Sequence, residues 1–303
     1  MSSPRASEEE VIQPDTALQN VTDDEAYDNE SERSSLTSLT SSILHGKVEG
    51  GRTYAVYGKE GKSPRVNRLA SANKSQRIWS IEMAEEFPSA EVIGTDVAPT
   101  QPDWVPPNCH FEVDDIEREW TWKEDSFDFV YARDLLLAIR DWPALIDQTY
   151  THLRGGGWVE FQAIVGVLGC DDDSIPEDSY LRKFSTMMEQ GSAKFGASLT
   201  DPMRWKGWLE ERGYQNVTER VFKLPFNPWP KDPRMKLLGA REMENLLSGL
   251  EAMVTRMFQK GLGWTDAEVT VFLAFLRKEI KNPRMHGYWP YYVVYAQKPK
   301  EDS

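Results

Sequence analysis

Glu91-Val92-Ile93-Gly94-Thr95-Asp96 is a short apolar run ending in a carboxylate, and Cys109-His110-Phe111-Glu112-Val113-Asp114-Asp115 repeats that design a little further along. Phe127-Asp128-Phe129-Val130-Tyr131 is a third such run, and Gly157-Trp158-Val159-Glu160-Phe161-Gln162 a fourth, after a triple-glycine turn. Each has the length and β-branched or aromatic content of a buried strand. Between and before them lie helical patterns. Trp79, Met83 and Phe87 recur at four-residue spacing with Ile78 and Ile81 beside them, so Gln76 to Phe87 reads as an amphipathic helix stopped by Pro88. Trp142 to Leu153 reads as another. Alternation of this kind predicts an α/β domain: a parallel sheet with helices on its faces and a binding crevice outside the carboxyl ends of the strands. Asp96, Asp114, Asp115 and Arg133 are then all expected at that edge.

Outward from this block the pattern changes. After residue 170 come expected helices near Tyr180 to Gly191 and Asp201 to Arg212, an extended piece near Val217 to Leu224, and a Pro-rich turn, Pro225 to Pro230. Two longer helices follow, marked by Leu246, Leu250, Val254 and Met257 and by Val269, Phe272, Leu273 and Leu276, and then a closing strand, Tyr291 to Ala296. This is a C-terminal helical elaboration carrying the last strands. Toward the N-terminus, residues 1–42 are acidic and then rich in Ser and Thr, a composition that cannot repay ordering entropy, and are expected to be a disordered tail. The remainder, 43–303, reads as one domain, with a cofactor half at about 75–165 and a helical, closing-strand half at about 166–303.

Composition excludes several function classes. A net charge of −14 leaves no basic stripe for phosphate backbones, so nucleic acid is not an expected ligand. Cys109 and Cys170 stand far apart without His or Cys at ligand spacing, which signals neither a disulfide framework nor a metal site. No signal peptide and no long apolar run is present, so an intracellular protein, cytoplasmic or nuclear, is expected, with no membrane partner. His45, His110, His152 and His286 share no pattern that nominates a general base, and the catalytic residue is left unassigned.

The order Glu91 to Asp96, Pro99-Thr100-Gln101-Pro102, Phe111 to Asp115, Phe127 to Arg133 and Leu153 to Gln162 resembles the LaeA-like methyltransferases of filamentous fungi, as does Gly51-Arg52-Thr53-Tyr54 near the N-terminus. The resemblance implies a class I methyltransferase fold, a Rossmann-like parallel sheet that binds S-adenosyl-L-methionine, and a role in or over secondary metabolism. The partner is then a small-molecule substrate, or a regulatory protein if the chain is a noncatalytic scaffold. It implies Asp96 at the ribose, where a carboxylate can accept from both hydroxyls of a vicinal diol. It also implies the Asp114-Asp115 pair at the adenine amine, with Asp115 favoured over Asp114 and Ile116 on the ring, Arg133 facing the cofactor's carboxylate or the substrate, and Tyr54 as a lid. Taken singly, the strand-end carboxylates have an alternative use as caps of helices or turns, and Arg133 one in an ion pair with Asp134 or Asp141.

The chain departs from that family in one place. The family's first strand runs into an Asp-x-Gly-x-Gly-x-Gly loop, but here Ile78-Trp79-Ser80-Ile81 is preceded by Asn73-Lys74-Ser75-Gln76-Arg77. Without those glycines close backbone approach to a ligand is obstructed. The first strand is also central, between the second and fourth, so the sheet is expected to have a disrupted or substituted first strand. Thr53 to Tyr57 is the favoured substitute for its β propensity. Val66 to Ala70 is the other, and a coding segment missing from the deduced sequence is a third reading.

Overall fold

A computed structural model describes residues 11–16, 65–69, 74–97 and 104–300, with the backbone alone for 65–69 and 74–78. In chain order the elements are β1 (Arg65–Leu69), α1 (Lys74–Glu86), β2 (Glu91–Asp96), β3 (Cys109–Val113), β4 (Phe127–Arg133), α2 (Trp142–His152) and β5 (Leu153–Ile164). Then follow β6 (Gly169–Cys170), α3 (Tyr180–Ala193), α4 (Trp205–Arg212), β7 (Gln215–Pro225), α5 (Pro233–Thr255), α6 (Asp266–Lys281) and β8 (Gly287–Gln297). They divide into two compact units interleaved along the chain. One is drawn from Val48–Gly166, Ser192–Phe222 and Pro290–Ser303, the other from Met1–Lys47, Val167–Gly191 and Lys223–Trp289.

The first unit holds the sheet, with strand order β3-β2-β1-β4-β5-β8 and β7 beside β8. The pairs from β3 through to β5 are parallel, and β8 runs antiparallel to β5. This is the class I methyltransferase architecture, a Rossmann-like parallel sheet closed by an antiparallel strand.

The central slot is filled, and not by the favoured segment. β1 lies between β2 and β4, pairing Val66 with Val92 on one side and with Phe129 on the other. Thr53–Tyr57 lies outside the described residues. The physical reason for the correction is that a central slot demands backbone donors and acceptors, which any residue but proline supplies. A strand ending at Leu69 needs only 70–73 to reach α1, whereas one ending at Tyr57 would need 58–73, longer than the usual βα connection of about 2–6 residues.

Two apolar layers hold the sheet. On one face Trp79, Met83 and Ala84 of α1 pack with Val92, Cys109, Phe111 and Phe129. On the other, Val130, Ala132, Val159, Phe161, Val294 and Ala296 bury against α2 and α4 through Trp142, Leu145, Ile146, Trp205 and Leu209. The alternation along β4 and β5 assigns each side chain its face. α2 starts where it does because the Asp141 carboxylate accepts from Ala144 N at 2.9 Å and Pro143 occupies the first turn. The glycine triplet expected as a turn lies inside β5 instead. Gly156 adopts φ 87°, and the register with β4 shifts between Phe127 and Phe129, the local signature of a bulge.

In the second unit α3, α5 and α6 gather around Leu181, Leu246, Leu250, Val254, Phe272 and Leu276, all buried. α6 opens with a capping box in which Thr265 and Glu268 satisfy each other's backbone N–H. Part of the expected tail is ordered here. Asp15 N donates to Trp229 O at 2.9 Å, Lys231 N donates to Gln13 O at 2.8 Å, and Lys236 is paired with the Asp15 carboxylate. Composition could not show this, because two backbone bonds and an ion pair anchor 11–16 without an apolar pattern. Among the described residues no helix is long and apolar enough to cross a membrane, and Cys109 and Cys170 are free thiols.

Asn227 ties this unit together. Fully buried, it donates through Nδ2 to Ile280 O at 3.1 Å and Asn282 O at 3.0 Å, and its Oδ1 accepts from Trp229 N at 3.1 Å. Asn227→Ala removes these side-chain bonds, although Trp229 N keeps the Asn227 backbone oxygen and Asn282 O keeps Met285 N, and is expected to lower stability by about 1–3 kcal/mol, read as a shift of the denaturation midpoint in urea.

Candidate functional site at the carboxyl edge of the sheet

Parallel strands bring their carboxyl ends to one edge, and the polar residues of β2, β4 and β5 collect there. Asp96 is the last residue of β2 and only 6% exposed. Its backbone oxygen accepts from Asp114 N at 3.1 Å, which holds the exit of β3 against it. Val97 follows it in the chain and Val113 faces it across the register. Both are more than half exposed, so a buried carboxylate is flanked by two accessible apolar side chains. Asp114 accepts from Asp115 N at 2.8 Å, while Asp115 accepts from Glu117 N at 3.1 Å and pairs with Arg118 at 3.3 Å. Asp115 thus performs the turn-capping use of such a carboxylate. Ile116 is 5% exposed and turns inward to the core.

A second polar group lies on β4, β5 and the start of β8. Tyr131 and Tyr291 both donate their hydroxyls to Gln162 Oε1, at 3.2 and 2.8 Å, and Gln162 Nε2 donates to the buried Glu160. Arg133 is two residues beyond Tyr131 on the same face of β4, with its guanidinium 3.2 Å from the Asp134 carboxylate. Asp134 carries φ 52°, a left-handed turn that Asp tolerates better than most residues, and its N–H donates to Gln162 O at 2.8 Å. That bond sets the angle at which the chain leaves β4. Trp79 of α1 stacks on Tyr131 at 4.3 Å and closes the inner side of the group.

Burial works against the charge of Arg133, but Tyr291, Tyr131 and Asp134 outweigh it and hold its pKa above the ordinary arginine value. Burial pushes the Tyr291 hydroxyl well above the ordinary tyrosine range. The edge therefore offers neutral phenols, a carboxamide and one permanent cation.

The structure thus joins Asp96 to Asp114 and sets Arg133 beside Tyr131 and Tyr291, which with Gln162 and Glu160 form a hydrogen-bonded group that sequence reasoning did not single out. Their signal was present in β5, where Glu160 and Gln162 alternate with Val159, Phe161 and Ala163, so that polar residues fall on one face of an otherwise apolar strand. Asp141, the other partner weighed for Arg133, caps α2. Tyr54 lies outside the described residues, and Lys74 to Arg77 form the first turn of α1. No group of three His, Cys, Asp or Glu side chains suited to a metal ion occurs among the described residues.

Residues 75–219 match the family model of a methyltransferase domain. "Methyltransferase pytC" of Aspergillus terreus is 35% identical over 237 residues, 78% of this chain and 73% of its own. "Secondary metabolism regulator LAE1" of Cochliobolus heterostrophus is 33% identical, covering 77% of each chain. The chain belongs to the LaeA-like methyltransferases. Membership places it in the class of S-adenosylmethionine-dependent methyltransferases of fungal secondary metabolism. Among solved structures, a Haemonchus contortus N-methyltransferase complexed with phosphomonomethylethanolamine and S-adenosylhomocysteine aligns with a TM-score of 0.48 and 16% identity, over 80% of this chain and 50% of that one.

In this LaeA-like chain the raised Tyr291 has a thermodynamic consequence. A hydroxyl whose folded pKa exceeds its unfolded value of ~10 gives full stability below pH ~10 and loses it as pH rises beyond, because the unfolded chain ionises first. Tyr214, buried beside Thr149, shifts in the same direction. Tyr291→Phe is expected to cost about 1 kcal/mol at pH 8 and to flatten the fall of the melting temperature between pH ~9.5 and ~11.5.

Proposed function

We propose that this chain binds S-adenosyl-L-methionine at the carboxyl edge of its sheet and methylates an acceptor held over the β4–β5–β8 polar group, in or over fungal secondary metabolism. The observation that carries the reading is Asp96: a carboxylate nine-tenths buried at the end of β2, between the accessible apolar side chains of Val97 and Val113. A nucleoside needs that combination, an acceptor for a vicinal diol beside a surface for an apolar ring. The described residues therefore fit the nucleoside half of the cofactor.

In this reading Asp96 accepts from the ribose hydroxyls. Asp114 accepts from the adenine amine. Asp115 shapes the turn through Glu117 N and Arg118, and Val97 and Val113 offer the apolar surface for the ring while Ile116 packs into the core beneath. Arg133, free of any need to deprotonate, binds the cofactor's carboxylate or an anionic group of the acceptor. S-adenosylmethionine supplies a methyl group on a sulfonium, whose leaving group is neutral. The protein's part is then chiefly to orient the acceptor and exclude water, and Tyr131, Gln162 and Tyr291 offer a fixed set of hydrogen bonds for doing so. The acceptor is a small molecule or a group on a protein partner, met inside the cell.

A second reading has one observation in its favour. Helix α1 begins at Lys74, and the sequence there, Lys74-Ser75-Gln76-Arg77, has none of the glycines that let a backbone approach a ligand closely. A chain that kept the sheet but bound no cofactor would be a noncatalytic regulator.

Calorimetric titration with S-adenosylmethionine separates the two. The wild-type chain is expected to bind saturably, and Asp96→Ala to bind about a hundredfold or more weakly, since hydrogen bonds to a charged acceptor contribute ~1.5–3 kcal/mol each. Circular dichroism should show both folded. No heat from a folded wild-type chain would leave the regulator reading, and unchanged affinity in the variant would remove Asp96 from the site.

A further inference from the structure

A cleft of about 270 Å³ opens at the opposite, amino edge of the same sheet, between the segment leading into β4 and the last turn of α2. Trp120, Trp122, His152, Glu119, Glu124 and Asp147 are among its lining residues, and among the described residues no lysine or arginine lines it.

The hydrogen bonds of this cleft leave acceptors open at Glu119, Glu124 and His152. Trp120 Nε1 donates to Ile116 O at 3.1 Å, and Trp122 Nε1 donates to Glu112 Oε2 at 2.8 Å. Gln148 Nε2 donates to Ile116 O at 3.2 Å, and Thr151 Oγ1 donates to Asp147 O at 3.0 Å. Both indole N–H groups, the Thr151 hydroxyl and one of the two Gln148 Nε2 hydrogens are thus engaged within the protein. Of the acceptors, Gln148 Oε1 receives Trp120 N at 2.7 Å and the Asp147 carboxylate is paired with Arg212, while others stay open. Glu119 and Glu124 are exposed and pair with no cation among the described residues. His152 is 6% exposed, and its Nδ1 lies 2.8 Å from Gln148 O, so Nδ1 carries a proton and, in the neutral ring, Nε2 is the lone-pair acceptor. That nitrogen has no hydrogen-bond partner among the described residues.

With their N–H groups turned to internal acceptors, the indoles offer rings rather than donors. Trp120 stands edge-on to Trp122 at 5.2 Å and leans on His152 at 5.1 Å. The cleft also meets the carboxyl end of α2, where the helix dipole favours positive charge.

We propose that this cleft binds the guanidinium of an arginine side chain presented by a protein partner. Acceptors on several sides, aromatic rings and negative charge suit a planar cation with many donors better than a compact ammonium. The neighbouring surface already holds one arginine in this way: Arg212 is paired with the Asp147 carboxylate and lies over the Tyr150 ring at 3.9 Å. A net charge of −14 would draw a basic partner from a distance. A peptide-borne arginine is favoured over the free amino acid because the latter brings a carboxylate toward Glu119 and Glu124.

The test is a titration of the full chain with Nα-acetyl-arginine methylamide, followed by the indole N–H resonances of Trp120 and Trp122 and the imidazole resonances of His152. Saturable shifts of these three residues are expected, with a dissociation constant on the order of a millimolar for so small a ligand. The neutral citrulline analogue should cause none, and blocked lysine should bind more weakly. The double variant Glu119→Gln with Glu124→Gln, both exposed, should keep the wild-type spectrum and bind about tenfold more weakly. Absence of saturable shifts, equal binding of citrulline or lysine analogues, or unchanged affinity in the double variant would overturn the proposal. Tighter binding of free arginine than of the blocked form would overturn the protein-borne source.

Discussion

A parallel sheet cannot leave its middle empty. β2 and β4 each present a row of backbone donors and acceptors to the space between them, and an unpaired row inside a protein costs far more than any shortfall in side-chain hydrophobicity. Arg65–Leu69 meets that demand by pairing with both neighbours. The rest of the site follows from it. With β1 in place, β2 and β4 sit one strand apart, and Asp96 and Arg133 reach the same edge from either side of it. The short connection to α1 then brings Trp79 over Tyr131. The polar edge is thus a product of backbone pairing in a strand whose own side chains barely announce it.

That is also why this strand was the hardest element to read. β2 through β5, the helix ending before Pro88, α2, the two long helices and the closing strand were legible because each buries an apolar face with a clear period. Arg65-Val66-Asn67-Arg68-Leu69 has no such period, and Thr53 to Tyr57, with better propensity, drew the expectation away from it. Propensity measures how well side chains suit a pleated surface, whereas the slot selected for chain length and backbone. The same limit applies to residues 11–16. Backbone pairing to Trp229 and Lys231 and the Asp15–Lys236 pair leave no trace in composition.

The candidate site was legible in part. Carboxylates at strand ends mark the edge in any parallel sheet, so the positions of Asp96, Asp114 and Arg133 could be stated from the sequence. What each side chain touches could not. Asp115 is drawn into its own turn by Glu117 N and Arg118, and Tyr291, more than a hundred residues from Gln162 in the chain, becomes its neighbour only because β8 runs antiparallel to β5. His152 likewise has no motif around it. Its tautomer is set by the carbonyl one helical turn earlier, a constraint that exists only once α2 has formed.

The antiparallel seam between β5 and β8 also bears on how the protein is made. β8 is the last of the described elements, and until residues 287–297 have left the ribosome the apolar strand β5 has an open edge exposed to other nascent chains. Tyr291, which completes the polar group on Gln162, arrives with it. A chain that lacks residues 287–297 therefore keeps an adhesive border and an incomplete site, so closure of the sheet at this seam and assembly of the polar edge are one event.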